Sequence, residues 1–219
     1  DYLRGRYFWN RRGRADMLKA IDSFRRALAQ DSGFALAWSG LADASVEAGY
    51  LTYLPRERAY AQAKVAALKA VALDSSLAES HTSLARVRQN YDWDWSGAEQ
   101  EYQKAIRLNP RYALAHSWYG RLLARILGRF DQGIAEARLG LDLDPLSPGA
   151  SHELGLAYYA ARQYDLAIDL QRRALDLQPD WADAHQYLGE AYLAKGMLQE
   201  AMPEFQAIVR FGGNTGAAL

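Results

Sequence analysis

The sequence has no cysteine and no long apolar run, and each absence excludes a class of protein. Without cysteine there is no disulfide, no thiolate zinc site and no cysteine nucleophile. No apolar stretch approaches the roughly 18 residues of a membrane helix, and the start, DYLRGRYFWN, lacks a signal-peptide pattern. We expect a cytoplasmic chain held together by packing alone, or a periplasmic one if a membrane helix precedes it in a longer protein.

An excess of charge of either sign is also missing. The 26 Lys and Arg residues balance the 26 Asp and Glu residues, so no overall field attracts nucleic acid or an anionic membrane. The start, RGRYFWNRRGR, is locally basic, but its aromatic residues fit the apolar stripe of a first helix. We therefore expect this chain of 219 residues to bind neither nucleic acid nor membrane.

Motifs for common catalytic and cofactor sites are absent. The sequence has no GxxxxGK[ST], GxGxxG, HExxH or GxSxG segment. The expectation is a protein that is not an enzyme and holds no cofactor.

One segment, DWDWSGAEQEYQ at residues 92–103, resembles a calcium loop. Asp92 and Asp94 take its first and third places, but the twelfth place is Gln103, which cannot supply the bidentate carboxylate. The spacing of Ser96 and Glu99 is that of a capping box at the start of a helix. We interpret the acids as caps and predict no metal site.

The four histidines are the remaining candidates for metal ligands. His81, His116 and His185 fall at equivalent places of an internal repeat, and such places are about one repeat apart in space, too far for ligands to converge on one ion. They are interpreted as partly buried packing residues. His152 is one place further on and is expected to face the concave surface of the repeat array. We interpret it as a contact residue rather than a base, because it has no evident carboxylate or nucleophile partner.

Landmark residues recur with a period of 34 or 35 along most of the chain, which indicates a repeat protein. Three series keep one register: Pro110, Pro145 and Pro179; Ala85, Gly120, Gly155 and Gly189; and Ala98, Gly133, Ala167 and Ala201.

Each period reads as two helices. Apolar and small residues recur at i, i+3, i+4 and i+7 over two windows, as in LGLAYYAARQYDLAIDLQRRALDLQP. Gly128 and Gly196 stand where the first helix should stop, and the residue before each repeated proline stands where the second should end. The small Ala and Gly residues let the two helices approach closely.

These residues resemble the pattern of the tetratricopeptide repeat family. The fifth unit matches it most fully, through Leu154, Gly155, Tyr158, Tyr164, Ala167, Ala174 and Pro179. The third and fourth units carry one inserted residue each, and the second about nine. The resemblance implies an all-α, right-handed α-solenoid of about six helix-turn-helix repeats in a single domain, residues 1–219, cut from a longer protein. The repeats are approximately 1–33, 34–76, 77–111, 112–146, 147–181 and 182–215.

The resemblance also implies a function, because first helices in this family line a concave groove that holds a peptide. Transferring the groove positions gives a candidate binding set: Arg86, Gln89, Asn90, Ser117, Arg121, Arg125, His152, Tyr159, Gln186 and Glu190. Its three arginines could grip a carboxylate-bearing peptide, since guanidinium pairs bidentately with carboxylate. The alternative is that these arginines are ordinary solvated charge.

The segments YLRGRYFWNRR, LTYLPRERAY and YDWDWSGAEQEYQKAIRLNPRYALAH resemble repeat regions of bacterial signalling proteins. In those proteins the array accompanies a CadC-like winged-helix domain, a serine/threonine kinase or a cyclase-like domain. A regulatory module that binds a protein or peptide is implied. Two alternatives stay open: a small-molecule sensor using Trp118, Tyr159 and Tyr187, and a structural scaffold.

The last residues allow a further expectation. Ala217, Ala218 and Leu219 could begin another unit, which would leave an apolar end face and favour an end-to-end homodimer.

Overall fold

Twelve helices occupy the residues that the computed structural model describes, 1–211, and no strand occurs among them. The predicted all-α class is confirmed. The helices are α1 Tyr2–Asn10, α2 Arg14–Gln30, α3 Ala35–Tyr50, α4 Arg56–Leu73, α5 Ala78–Val87, α6 Trp95–Leu108, α7 Ala113–Arg121, α8 Phe130–Leu143, α9 Pro148–Ala160, α10 Tyr164–Leu177, α11 Ala182–Ala194 and α12 Leu198–Phe211. Residues 217–219, on which the expected further unit rests, lie outside the described part.

The chain divides into two compact units, Asp1–Ala115 (unit 1) and His116–Leu219 (unit 2). Within each unit, consecutive helices pack as antiparallel pairs, for example α3 on α4 in unit 1 and α9 on α10 in unit 2. Alanine dominates the buried positions, and the core of unit 2 includes Ala124, Ala137, Ala150, Ala157 and Ala167. These small side chains let helix axes approach closely.

A left-handed backbone turn separates the two helices of each repeat. Trp93, Gly128, Arg162 and Gly196 all have positive φ, between 57° and 76°, and they lie 35, 34 and 34 residues apart. The predicted stops at Gly128 and Gly196 are confirmed. The fold requires this conformation here, whichever residue occupies the place.

Two π-helical turns, Arg88–Asp92 and Leu122–Ile126, continue α5 and α7. They lie where the third and fourth units carry their inserted residue. The distance from the small residue to the left-handed residue is eight positions for Ala85 to Trp93, but seven for Gly155 to Arg162. Because a π turn closes i to i+5 bonds, it accommodates one extra residue without breaking the helix.

The cap of α6 differs from the predicted one. Asp94 is the N-cap, and its carboxylate accepts a hydrogen bond from the Gly97 backbone N–H at 2.9 Å. Ser96 is already the second residue of the helix, so the predicted capping box of Ser96 and Glu99 is wrong, while the role of the acids as caps is confirmed for Asp94. Asp92, the other candidate calcium ligand, pairs with Lys64 at 2.6 Å.

Candidate functional site

The ten predicted binding residues fall into two sets. Arg86, Gln89 and Asn90 belong to unit 1, and the other seven to unit 2. All ten lie on first helices or on the π turns that continue them.

In unit 1, Arg86 lies inside a buried charge cluster. Its side chain is only 4% exposed, and Nη2 donates to Glu47 Oε2 at 2.9 Å. Arg12 reaches the other oxygen of Glu47 at 3.3 Å and stacks on the Trp9 ring at 3.9 Å. Arg86 therefore stabilises the contact between α3 and α5, and its charge is already neutralised within unit 1.

Gln89 and Asn90 also make internal hydrogen bonds. The hydroxyl of Tyr102 donates to Gln89 Oε1 at 3.2 Å, and Asn90 Nδ2 donates to the Arg86 carbonyl at 2.8 Å. The Asn90 bond lies within the stretch where the helix changes to π geometry, so its amide satisfies a backbone carbonyl there.

In unit 2, Arg121 resembles Arg86. Its Nη1 donates to Glu153 Oε1 at 3.2 Å, and the two side chains are 11% and 8% exposed. Ser117, one turn earlier on α7, is buried. The Arg121–Glu153 pair therefore links α7 to α9.

Arg125 has a different environment. It is exposed, and no carboxylate of residues 1–211 lies within ion-pair distance of its guanidinium. Nη2 donates to the Tyr187 hydroxyl at 2.7 Å, and the guanidinium carbon lies 4.9 Å from the centre of that ring. The cation is thus held in a fixed position on an aromatic support.

Three more predicted residues lie close to Arg125. Tyr159 meets Tyr187 edge to face at 6.0 Å, and Gln186 Nε2 donates to Glu190 Oε1 at 2.9 Å. Burial raises the pKa of Tyr159, and the neighbouring Glu190 raises it further. We call Arg125, Tyr159, Gln186, Tyr187 and Glu190 the Arg125 face.

His152 departs from the expectation. It is 2% exposed, its Nδ1 lies 2.8 Å from Gln171 Oε1, and its Nε2 lies 3.2 Å from Asp183 Oδ2. The prediction that it faces the groove as a contact residue without a carboxylate partner is therefore wrong. Its ring lies against Trp181 and Tyr187 and so supports the Arg125 face from beneath.

The other three histidines are partly or wholly buried, as predicted, but their partners were missed. Nδ1 lies 2.5 Å from Glu101 in His81, 2.7 Å from Glu136 in His116 and 2.6 Å from Glu204 in His185. The His81 bond lowers the pKa of Glu101. A signal was present in the sequence, because the glutamate follows its histidine by 20, 20 and 19 residues.

Among residues 1–211, no three His, Asp or Glu side chains are placed to hold a metal ion together. Within the same range, no helix combines the length and apolarity needed to cross a bilayer.

Comparisons with known proteins identify the repeat. The family model described as tetratricopeptide repeat matches residues 94–148 and 152–214, which is more than half of the chain. A comparison with curated proteins finds no match.

Solved structures share the fold at low sequence identity. Human IFIT1, a dimer with m7Gppp-AAAA, is 18% identical with a TM-score of 0.73 over 89% of this chain, which spans 46% of the IFIT1 chain. Pseudomonas aeruginosa pilF is 24% identical with a TM-score of 0.59, over 80% of this chain and 78% of its own. YrrB, a TPR protein with an unusual peptide-binding site, is 19% identical with a TM-score of 0.52, over 90% and 95%.

The matched repeats, the paired helices and the recurring left-handed turns agree with one another. The chain therefore belongs to the tetratricopeptide repeat family, whose repeats support a role as a protein–protein interaction scaffold.

Proposed function

We propose that this chain binds an extended segment of a partner protein on the Arg125 face, and that the segment carries a carboxylate. One observation carries the proposal: among the three predicted arginines, Arg86 and Arg121 are neutralised by Glu47 and Glu153, whereas Arg125 presents an exposed guanidinium. A guanidinium that is held in place loses less conformational entropy when it forms a bidentate bond with a carboxylate.

The other members of the Arg125 face suit the rest of a peptide. Tyr159 is half-buried and offers part of its ring to apolar side chains, while Glu190 can accept a hydrogen bond from a peptide N–H. The supporting residues His152, Trp181 and Tyr187 are buried and fix the position of these groups. Such preorganisation lowers the entropic cost of binding.

The first experiment selects ligands from a random peptide library with the intact chain and measures their affinity by fluorescence anisotropy. We expect selected peptides to share an acidic group and Arg125→Glu to weaken binding at least about tenfold, the loss typical of a charged hydrogen bond. Arg172→Glu is the matched control, because Arg172 is another exposed arginine near a tyrosine ring, at 5.5 Å from the centre of Tyr192 on a second helix.

A double-mutant cycle makes the test specific. Replacing the acidic residue of the peptide by its amide should weaken binding to the unaltered chain but cause little further loss with Arg125→Glu. Equal affinity of the unaltered chain and Arg125→Glu would overturn the proposal. Selection of no peptide would favour the small-molecule sensor or the scaffold; the sensor is less well supported because Trp118 and Tyr187, two of its three aromatic residues, are buried.

We also propose that this binding regulates a bacterial signalling protein, which the resemblance of three sequence segments supports. The end-to-end homodimer stays a prediction. Leu198, Met202 and Val209, which are exposed along α12, support it as an apolar stripe on the last described helix.

A further inference from the structure

Three aromatic side chains are exposed together on the turn between the helices of the third repeat, in unit 1. Trp93 is 67% exposed, Trp95 39% and Tyr91 37%, and all residues from 91 to 96 are exposed. The two indole rings are 6.4 Å apart and inclined at 46°. We call Tyr91, Trp93 and Trp95 the turn patch.

The backbone at Trp93 is unfavourable for the residue that occupies it. Its φ is +57°, and the equivalent positions are Gly128 in the fourth repeat, Arg162 in the fifth and Gly196 in the sixth. Glycine adopts this conformation without a steric penalty, whereas a bulky side chain there is a genuine outlier. The repeat fold does not need an indole at this position, because glycine makes the same turn in two other units.

The turn patch is supported from below through Tyr91 and through the two aspartates between its rings. The ring of Tyr91 stacks on the buried Tyr60 at 5.7 Å with 7° between the ring planes. Lys64 Nζ donates to Asp92 at 2.6 Å, and Asp94 caps α6. A strained residue, large exposed rings and a fixed support are together typical of a binding surface rather than a packing defect.

The charges beside the rings select the class of partner. Asp92 and Asp94 alternate with the three aromatic residues along the chain. Asp92 is neutralised by Lys64 at 2.6 Å, whereas the Asp94 carboxylate is 50% exposed, and Arg88, which lies 3.9 Å from it, also pairs with Glu101 at 3.3 Å. The exposed Asp94 carboxylate repels phosphate groups and attracts a cation, which disfavours nucleic acid and anionic lipid. Indole faces attract cations and pack against proline rings.

We propose that the turn patch binds a proline-rich protein segment that carries an arginine or a lysine. The polyproline II conformation of such a segment is already extended and loses little entropy on binding to aromatic rings. Trp93 and Trp95 contact the prolines, and Asp94 receives the cation. The turn patch belongs to unit 1, so this proposal does not depend on the Arg125 face of unit 2.

The test uses the intact chain and synthetic twelve-residue peptides of alternating proline and alanine, with one central arginine or with glutamate in its place. Binding is followed by two-dimensional NMR of the six tryptophan indole N–H groups and by fluorescence anisotropy. The arginine peptide should shift the indole signals of Trp93 and Trp95 and leave that of the buried Trp181 unchanged. The glutamate peptide should bind at least about tenfold more weakly.

Trp93→Gly separates a binding role from a structural one. The substitution should raise the melting temperature, because it removes the backbone strain. It should also lower the affinity for the arginine peptide at least about tenfold. Leu3→Ala is the control, because Leu3 is another exposed apolar residue of unit 1, at 78%; it should leave peptide affinity unchanged. Arg125→Glu should also leave it unchanged, which distinguishes failure here from failure of the proposed function.

Three results would overturn the proposal. The first is a lower melting temperature of Trp93→Gly with undiminished peptide binding, since Trp93 would then be structural. The second is absence of binding by any proline-rich peptide of the set. The third is loss on Trp93→Gly of binding to a single-stranded oligonucleotide or to phosphatidylglycerol vesicles, which would assign the turn patch to another class of partner.

Discussion

Asp43 shows how burial changes the behaviour of a single residue. It lies on α3 inside unit 1, where Ser83 Oγ donates to it at 2.8 Å and Arg6 lies 3.9 Å away. Burial raises the pKa of this carboxyl to about 6, and the opposing effects of Arg6 and Arg86 are smaller. The residue is therefore costly to ionise although arginines surround it.

We expect Asp43 to make stability depend on pH. Because the pKa is higher in the folded than in the unfolded chain, the folded chain binds the extra proton between about pH 4 and 6. The free energy of unfolding of the unaltered chain, minus that of Asp43→Asn, should fall by up to about 3 kcal/mol between pH 4 and 7. Urea unfolding at several pH values measures this difference.

Asp74→Asn provides a control, because the pKa of Asp74 is shifted in the opposite direction to that of Asp43. Hydrogen bonds from Ser76 lower the pKa of Asp74 below its ordinary 3.8, so its contribution is lost only as pH falls below about 4. The corresponding difference for Asp74→Asn should be flat above about pH 5. A difference for Asp43→Asn that is equally flat would contradict the assigned shift.

At the scale of the helix, the contact between α7 and α8 tests whether the repeated small residues allow paired helices to approach closely. A Cβ on Gly120 would lie 2.6 Å from the Gly133 carbonyl oxygen and 2.7 Å from the Ala137 nitrogen. Both are backbone atoms of α8 and cannot move without displacing the helix. The predicted close approach at this series of residues is confirmed, and here it requires glycine.

Gly120→Ala should therefore lower the free energy of unfolding by about 1–3 kcal/mol, the usual cost of overpacking. Gly189→Ala is the matched control at the equivalent position of the sixth repeat, where the added Cβ would meet ring atoms of Phe205. A side chain yields more easily than a backbone, and alanine favours the helix by about 1 kcal/mol, so this variant should change stability less. Chemical denaturation of both variants measures their free energies of unfolding. An equal loss of stability in the two variants would contradict the proposed role of the backbone contact at Gly120.

At the scale of the whole molecule, the boundary between the two units, Ala115 and His116, lies inside α7. Domain boundaries usually fall in exposed linkers, where proteases cut. We therefore propose that the six repeats form the single domain predicted from the sequence. Calorimetry should show one unfolding transition, and limited proteolysis should spare residues 113–121. Two separate transitions, or an early cut within α7, would contradict this.

The sequence determined the repeat length, the two helices per repeat and the turns at Gly128 and Gly196, because these features depend on local spacing. Gly120, Gly128 and Pro110 act within one repeat, through backbone conformation and close packing. The sequence also predicted the inserted residues of the third and fourth units. It did not predict that π turns accommodate them.

The tertiary structure decided which predicted binding residues are available to a partner. Arg86 pairs with Glu47, 39 residues away, and Arg121 with Glu153, 32 residues away, whereas Arg125 stays exposed. These pairings depend on the rotation of one helix against the next, which a period in the sequence does not specify. The period located the first helices of the third to sixth repeats, but only the packed helices distinguish a neutralised arginine from one that can bind.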